Sequence, residues 1–206
     1  MAERKTADSR RREIADAALR VIAEQGLGRF TALAIAREVG VSDAALFRHF
    51  QTKEEIVLAA IERVEEILFA GFPPSGRDSL ERLGNFFRQR VTVIAENPGV
   101  ARLVASDSLA QAAPAEGVAR VADFRRRSVR FVRGCLAEAA RGGLLAGGVE
   151  PAEAEVLVLG AILALTQGRG LREGSSPGGQ LAERTWSALE RLLRGSGAPA
   201  RMSRAR

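Results

Sequence analysis

Apolar residues recur at three- and four-residue intervals along most of this chain, the period of an α-helix that buries one face, so the pattern predicts an all-α protein. A first helix carries Ile14, Ala17, Ala18, Val21 and Ile22 on one face and ends at Gly26 and Gly28. Two short helices follow within 31–53, and a long one over about 52–72 turns Ile56, Ala59, Ala60, Val64, Ile67 and Leu68 inward. The breaker at 71–76, with Pro73-Pro74, separates it from helices over 78–96, about 100–112 and about 118–141. Gly142-Gly143 and Gly147-Gly148 bracket a loop, after which Pro151 opens a helix at its favoured first turn. From 155 to 168 that helix is apolar nearly all round, which predicts burial on more than one side, and Gly160, Ala164 and Gly168 form a stripe of small residues. A last helix over 180–193 puts Leu181, Trp186, Leu189, Leu192 and Leu193 on its apolar side.

The most informative stretch is 31–53. Thr31 suits an N-cap, Ile35, Ala36 and Val39 follow at helical spacing, and Gly40 stands where a helix prefers to stop. Ser42 caps the next helix, in which Ala45, Leu46 and Phe50 serve packing while Asp43, Ala44, Phe47, Arg48 and His49 point elsewhere. Two short helices joined by a tight turn with glycine make a helix-turn-helix, whose second helix enters the DNA major groove by its N-terminal end. Ser42, Asp43, Ala44 and Ala45 occupy that leading turn: a carboxylate there accepts from a cytosine amino group, and an alanine methyl touches a thymine methyl. Thr31 is open to two readings, a cap alone or a cap whose hydroxyl also bonds a phosphate. Arg48 is a phosphate or guanine contact or simply an exposed helix arginine.

Composition narrows the classes. The 206 residues carry 31 Lys and Arg against 25 Asp and Glu, a net charge of +6, and suffice for a small domain fused to a larger one. The sequence pI of about 10.9 suits a polyanion partner and equally an arginine-rich protein from a GC-rich genome. With one cysteine, Cys135, the chain forms no disulfide within itself and no thiolate metal cluster. His49 is the only histidine, which argues against a multi-histidine metal site or a catalytic triad, and no glycine-rich phosphate loop is present. Neither an enzyme, nor a metal site, nor a cofactor is therefore expected. The N-terminus is polar, with Arg4 and Lys5 before Arg10, Arg11 and Arg12 as added phosphate contacts or a frayed end, and no apolar signal core follows. The longest apolar run, 156–165, is too short to span a bilayer, so a cytoplasmic protein with no membrane partner is expected. Glu62, Glu65 and Glu66 are read as a solvated face.

The residues Thr31, Ile35-Ala36, Gly40-Val41-Ser42, Ala45-Leu46-Phe47, His49-Phe50 and Lys53-Glu54 closely resemble the DNA-binding domain of the TetR family of bacterial transcriptional repressors, over about residues 10–60. Leu33 and Ala34 depart from it, standing where members more often carry polar or acidic residues. The resemblance implies a helix-turn-helix domain over 1–52, a helical ligand-binding and dimerisation domain over 53–195, and a Gly, Pro and Arg tail over 196–206 that its composition marks as disordered. It implies that Phe47 lies against the sugar-phosphate backbone, His49 binds the backbone, and Lys53, at a helix N-terminus, binds a phosphate. The helices over 78–141 resemble the family's ligand-binding triangle, with Phe69, Phe86, Phe87, Leu103, Phe124 and Phe131 as pocket lining joined by Cys135. A pocket rich in Phe, Leu and Val takes an apolar or aromatic effector, and with no tyrosine in the chain its specificity falls to Ser106, Asp107, Ser108 or an arginine.

The expected molecule is thus a homodimeric regulator of double-stranded DNA, paired through its two C-terminal helices (about 152–173 and 180–194), and a repressor released from a palindromic operator by a small molecule. The alternative is a nucleoid-associated or cell-division protein that binds many chromosomal sites and a protein partner. Six arginines from Arg120 to Arg133 give that alternative a surface for acidic protein, with an ordinary exposed face as the plainer reading.

Overall fold

A computed structural model of the chain describes residues 7–27, 30–105, 112–167 and 178–194. Among them the regular elements are all helical: α1 (Ala7–Gln25), α2 (Ala32–Val39), α3 (Asp43–Phe47), α4 (Lys53–Phe69), α5 (Ser79–Glu96), α6 (Pro98–Val104), α7 (Ala115–Arg141), α8 (Pro151–Gln167) and α9 (Gly178–Arg194). The chain divides into two compact units, one of Met1–Ala70 with Val93–Arg127, the other of Gly71–Thr92 with Ser128–Arg206. Among the described residues no helix is long and apolar enough to cross a membrane.

The first unit is built around α1 and α4. Ile14, Ala17, Ala18, Val21 and Ile22 of α1 are buried against Ile35 and Ala36 of α2, Leu46 of α3 and Ile56, Ala60 and Val64 of α4, with Phe30 and Phe50 filling the centre. Val57 and Ile61 are fully buried as well, beyond the single inward stripe expected for α4, in a core that also takes in Val100 and Leu103 of α6 and Val121 and Phe124 of α7. Contact between α1 and α6 is so close that a Cβ on Gly99 would stand 2.1 Å from the carbonyl oxygen of Leu19. Only glycine allows that approach.

The carboxylates of α4 form a part-exposed face whose charges are paired within the chain. Glu62 and Glu65 lie 3.4 Å and 3.3 Å from Arg120, Glu65 lies 2.5 Å from Arg127, and Glu66 receives Arg12 at 2.8 Å and Arg63 at 2.9 Å. Arg63 also reaches Asp16 at 2.7 Å and thereby ties α4 to α1. Partial burial works to raise the Glu66 carboxyl, but the hydrogen bonds from Arg12 and Arg63 outweigh it and hold the group below its ordinary range. Sequence shows the charges but not which helix faces which.

In the second unit, Leu80, Leu83, Phe87 and Val91 of α5, Val132, Leu136 and Ala139 of α7, Ala154 and Val158 of α8, and Ala182, Trp186 and Leu193 of α9 form the core. Trp186 is 1% exposed and packs 5.5 Å from the Phe87 ring; a Cβ on Gly84 would lie 2.4 Å from its indole nitrogen. Truncation of so large a buried ring costs about 3–5 kcal/mol. For α8 the sequence predicts burial on more than one side, with a second copy pairing there. Within one chain it buries one side, through Ala154 and Val158, and leaves Val156, Leu157 and Leu163 exposed with Gly160 facing open space. Gly168 and the rest of the expected helix to 173 lie outside the described residues, as do Arg4, Lys5, the break over 174–177 and the tail over 196–206.

Candidate nucleic-acid interface

The local chemistry of 31–53 folds as its residues dictate. The Thr31 hydroxyl accepts from the Ala34 N–H at 3.2 Å and caps α2, and Gly40, at φ 74°, takes the left-handed conformation that ends it. The Ser42 hydroxyl accepts from the Ala45 N–H at 3.2 Å and caps α3, and Thr52 caps α4 through the Glu55 N–H in the same way. Leu46 and Phe50 are sunk into the core at 0% and 1% exposure, and they fix which side of α3 faces out. On that side Ser42, Asp43, Ala44, Phe47 and Arg48 are exposed, while Ala45, His49 and Lys53 are half-buried. Phe47, at 43% exposed, is not a core residue.

Charge completes the face. Among the described residues no ion pair engages Arg37, Arg48 or Lys53, whereas Arg10, Arg12 and Arg20 are paired with Glu13, Glu66 and Glu38. Arg37, Arg48 and Lys53 are carried by the helix-turn-helix and the first residue of α4. Lys53 stands 5.5 Å from the Phe30 ring centroid, its stem held over the core and its ammonium at the N-terminus of α4. Arg37 escaped the sequence reading as a site residue. Arg37 lies one turn beyond Leu33, itself 48% exposed, so helical spacing was the available signal. Arg11 donates to the backbone carbonyl of His49 and lies 4.1 Å over the Phe50 ring, which clamps the end of α3 to α1. Nothing in the sequence marks that pairing across 38 positions.

Residues 14–60 match the family model described as bacterial regulatory proteins, tetR family. Over these residues the chain belongs to the tetR family. A regulatory protein of the tetR family from Rhodococcus RHA1 superposes with a TM-score of 0.74 over 94% of this chain and 100% of that one, at 20% identity. AibR, solved in complex with isovaleryl coenzyme A and operator DNA, superposes with a TM-score of 0.71 over 90% of this chain and 98% of that one, at 19% identity. The nucleoid occlusion factor SlmA of Haemophilus influenzae (strain PittGG) is 31% identical over 135 residues, a match that spans 63% of this chain and 62% of that protein.

The TetR fold extends over the second unit, and the residues expected to line an effector pocket are divided between the two units. Phe69, Leu103 and Phe124 belong to the first unit, and Phe86, Phe87, Phe131 and Cys135 to the second. Leu103 and Phe87 are 0% exposed among core side chains, and Phe69 lies beneath the Arg127 guanidinium at 3.9 Å. Asp107, with Ser106 and Ser108, lies outside the described residues. Phe86 and Phe131 meet at 5.1 Å, joined by Phe72, which the sequence reading left out, at 6.3 Å and 5.1 Å. Burial pushes the Cys135 thiol above its ordinary value, against the pull of Arg82, so it is not a reactive thiolate. Two cavities are charged in character: about 550 Å³ beside α1 and α4, bordered by Arg12, Arg63 and Glu66, and about 450 Å³ at the start of α5, bordered by Asp78, Arg88 and Arg194.

The arginines of α7 are largely engaged within the chain. Arg120 and Arg127 meet the α4 carboxylates, Arg126 meets Asp123 at 3.1 Å, Arg133 meets Glu155 at 2.9 Å, and Arg125 donates to the Val104 carbonyl. That accounts for their helical spacing better than a surface for acidic protein does.

Proposed function

We propose that the protein is a homodimeric transcriptional repressor that grips a palindromic operator with two copies of α3 and is released by a small apolar or aromatic effector. The observation that carries the reading is the division of α3 into a sunk side, Leu46 and Phe50, and an open side, Ser42, Asp43, Ala44, Phe47 and Arg48, flanked by Arg37 and Lys53, which have no ion-pair partner among the described residues. In this role Asp43, Ala44 and Ala45 meet base edges, while Thr31, Phe47, Arg48, His49 and Lys53 meet the backbone. The functional boundary falls near residue 52, with the DNA-binding head before it. Dimerisation uses the open apolar stripe of α8 with Leu192 of α9. Effector binds better to the form whose heads stand at the wrong separation, and by reciprocity operator weakens effector binding by the same factor. AibR, caught with both a coenzyme A thioester and operator DNA, is a fold neighbour that combines the two activities.

Selection of duplexes from a random pool tests this: the expected product is one palindromic site with half-sites about one helical turn, roughly 34 Å, or somewhat more apart. A second reading is favoured by the curated relatives, several of which are nucleoid occlusion factors at 31–35% identity. On that reading the protein occupies many chromosomal sites and answers to a protein partner. Mapping bound sites across the genome separates the two, a handful beside promoters for the repressor and scores dispersed along the chromosome for the alternative.

A further inference from the structure

Trp186 is the only tryptophan in the chain and is 1% exposed, yet its indole N–H makes no hydrogen bond among the described residues. A buried indole N–H ordinarily finds an acceptor. Its nitrogen lies against Gly84, where a Cβ would stand 2.4 Å away. Glu81 and Arg88, about one turn to either side of Gly84 on α5, border the same cleft of about 450 Å³ that Trp186 borders. The donor edge of the ring therefore stands at that cleft.

The cleft lies within the second unit, between the first turns of α5 and a stripe of α9 on which Trp186, Glu190 and Arg194 follow one another at four-residue spacing. Its charged lining is balanced, with Arg77, Arg88 and Arg194 against Asp78, Glu81 and Glu190. These groups occupy one another only in part. Arg194 donates through Nε to Glu190 at 2.9 Å and through Nη2 to Asp78 at 2.9 Å, while no hydrogen bond engages its Nη1. Glu190 accepts through Oε1 and keeps Oε2 open. Arg194 thus reaches back along α9 to within about a turn of the unmet indole N–H.

We propose that this cleft binds a small zwitterion of the free amino acid class, whose carboxylate accepts from the Trp186 indole N–H and from Arg194 Nη1 and whose ammonium donates to Glu190 Oε2. An indole N–H only donates, so the group that meets it is an acceptor, and the neighbouring guanidinium makes an anionic acceptor the stronger partner. An anion alone would stand among three carboxylates whose charges already offset the arginines, and a cation alone would leave the indole unmet. A molecule carrying both charges satisfies each. The cleft takes a different chemical class from the apolar effector of the repressor reading, and its occupancy requires neither DNA nor a second copy.

Emission from Trp186 reads occupancy directly, since no other tryptophan contributes. The full-length protein is titrated with L-glutamine, L-asparagine and L-threonine and, for each, with the N-acetyl derivative, which lacks the ammonium, and the amide, which lacks the carboxylate. At least one free amino acid is expected to change the emission saturably and to bind at least tenfold more tightly than both its derivatives. In calorimetry Glu190→Gln, which keeps the size of the side chain and an acceptor for Arg194, lowers that affinity about tenfold and brings the amino acid level with its N-acetyl derivative. Trp186→Phe keeps a ring in the core while removing the N–H, and lowers the affinity several-fold; Glu190→Gln supplies the reading should that variant not fold. No saturable response to any of the nine compounds, equal affinity for an amino acid and its derivatives, or undiminished affinity in Glu190→Gln overturns the assignment.

Discussion

Two regions of this molecule leave large apolar side chains in water, and they differ in what surrounds them. On the helix-turn-helix, Leu33 and Phe47 are 48% and 43% exposed, and the neighbouring cations Arg37, Arg48 and Lys53 have no ion-pair partner among the described residues. On α8 and α9, Val156, Leu157, Leu163 and Leu192 are 50–70% exposed, and residues 156–166 carry no charge at all. Apolar exposure alone signals an interaction. Its electrostatic setting tells which kind, since a surface with free cations suits a polyanion and an uncharged stripe with Gly160 at its middle suits another copy of itself. Burying those four side chains is worth about 1.5–3 kcal/mol each, ample for a stable pairing.

Exchanging the electrostatic settings breaks the comparison most severely. The double variant Leu157→Arg, Leu163→Arg puts two cations into the uncharged stripe, and an unpaired buried charge is costly enough that the dimer dissociation constant should rise by about a thousandfold or more in sedimentation equilibrium. An unchanged dimer would show that the stripe faces something else. Next in size, Ala44→Glu sets a bulky carboxylate at the tip of α3 and should weaken binding to the selected duplex about a hundredfold, with dimerisation and melting temperature unaltered. Lys53→Ala acts more gently. It should weaken all duplexes alike and reduce the slope of log affinity against log salt by about one unit per half-site, and an unchanged slope would remove Lys53 from the phosphate contacts.

The smallest effect concerns Glu66, whose carboxyl is held below its ordinary 4.5 once the Arg12 and Arg63 hydrogen bonds overcome its partial burial. A depressed carboxylate contributes stability that is complete above the ordinary value and is lost as pH falls through the depressed one. Glu66→Gln should therefore lower the melting temperature slightly at neutral pH and converge with the wild type in acid. A gap that widens on acidification contradicts the pairing.

The helix-turn-helix was legible because its signals are local: Thr31, Ser42 and Thr52 each cap the helix that follows them, and Gly40 adopts the left-handed turn its position calls for. Period gave the helices of the rest, but not their partners. Glu62, Glu65 and Glu66 read as solvated because their arginines lie 55–62 positions away for Arg120 and Arg127 and 54 for Arg12. Which compact unit a residue joins was equally illegible, because Phe69 and Leu103 share an apolar pattern with Phe86 and Phe131. For α8 the pattern left the source of the cover open, because an all-round apolar helix implies burial without saying whether its own chain or a second copy supplies it.

The claim on which the rest depends is that α3 enters the major groove in two symmetry-related copies. Methylation interference at guanine N7, an atom that lies in the major groove, measures this directly on the selected duplex. Two patches of interference on one face of the duplex, about one helical turn or somewhat more apart and both lost in Ala44→Glu, are the predicted result. A single patch, or binding indifferent to N7 methylation throughout, would contradict it.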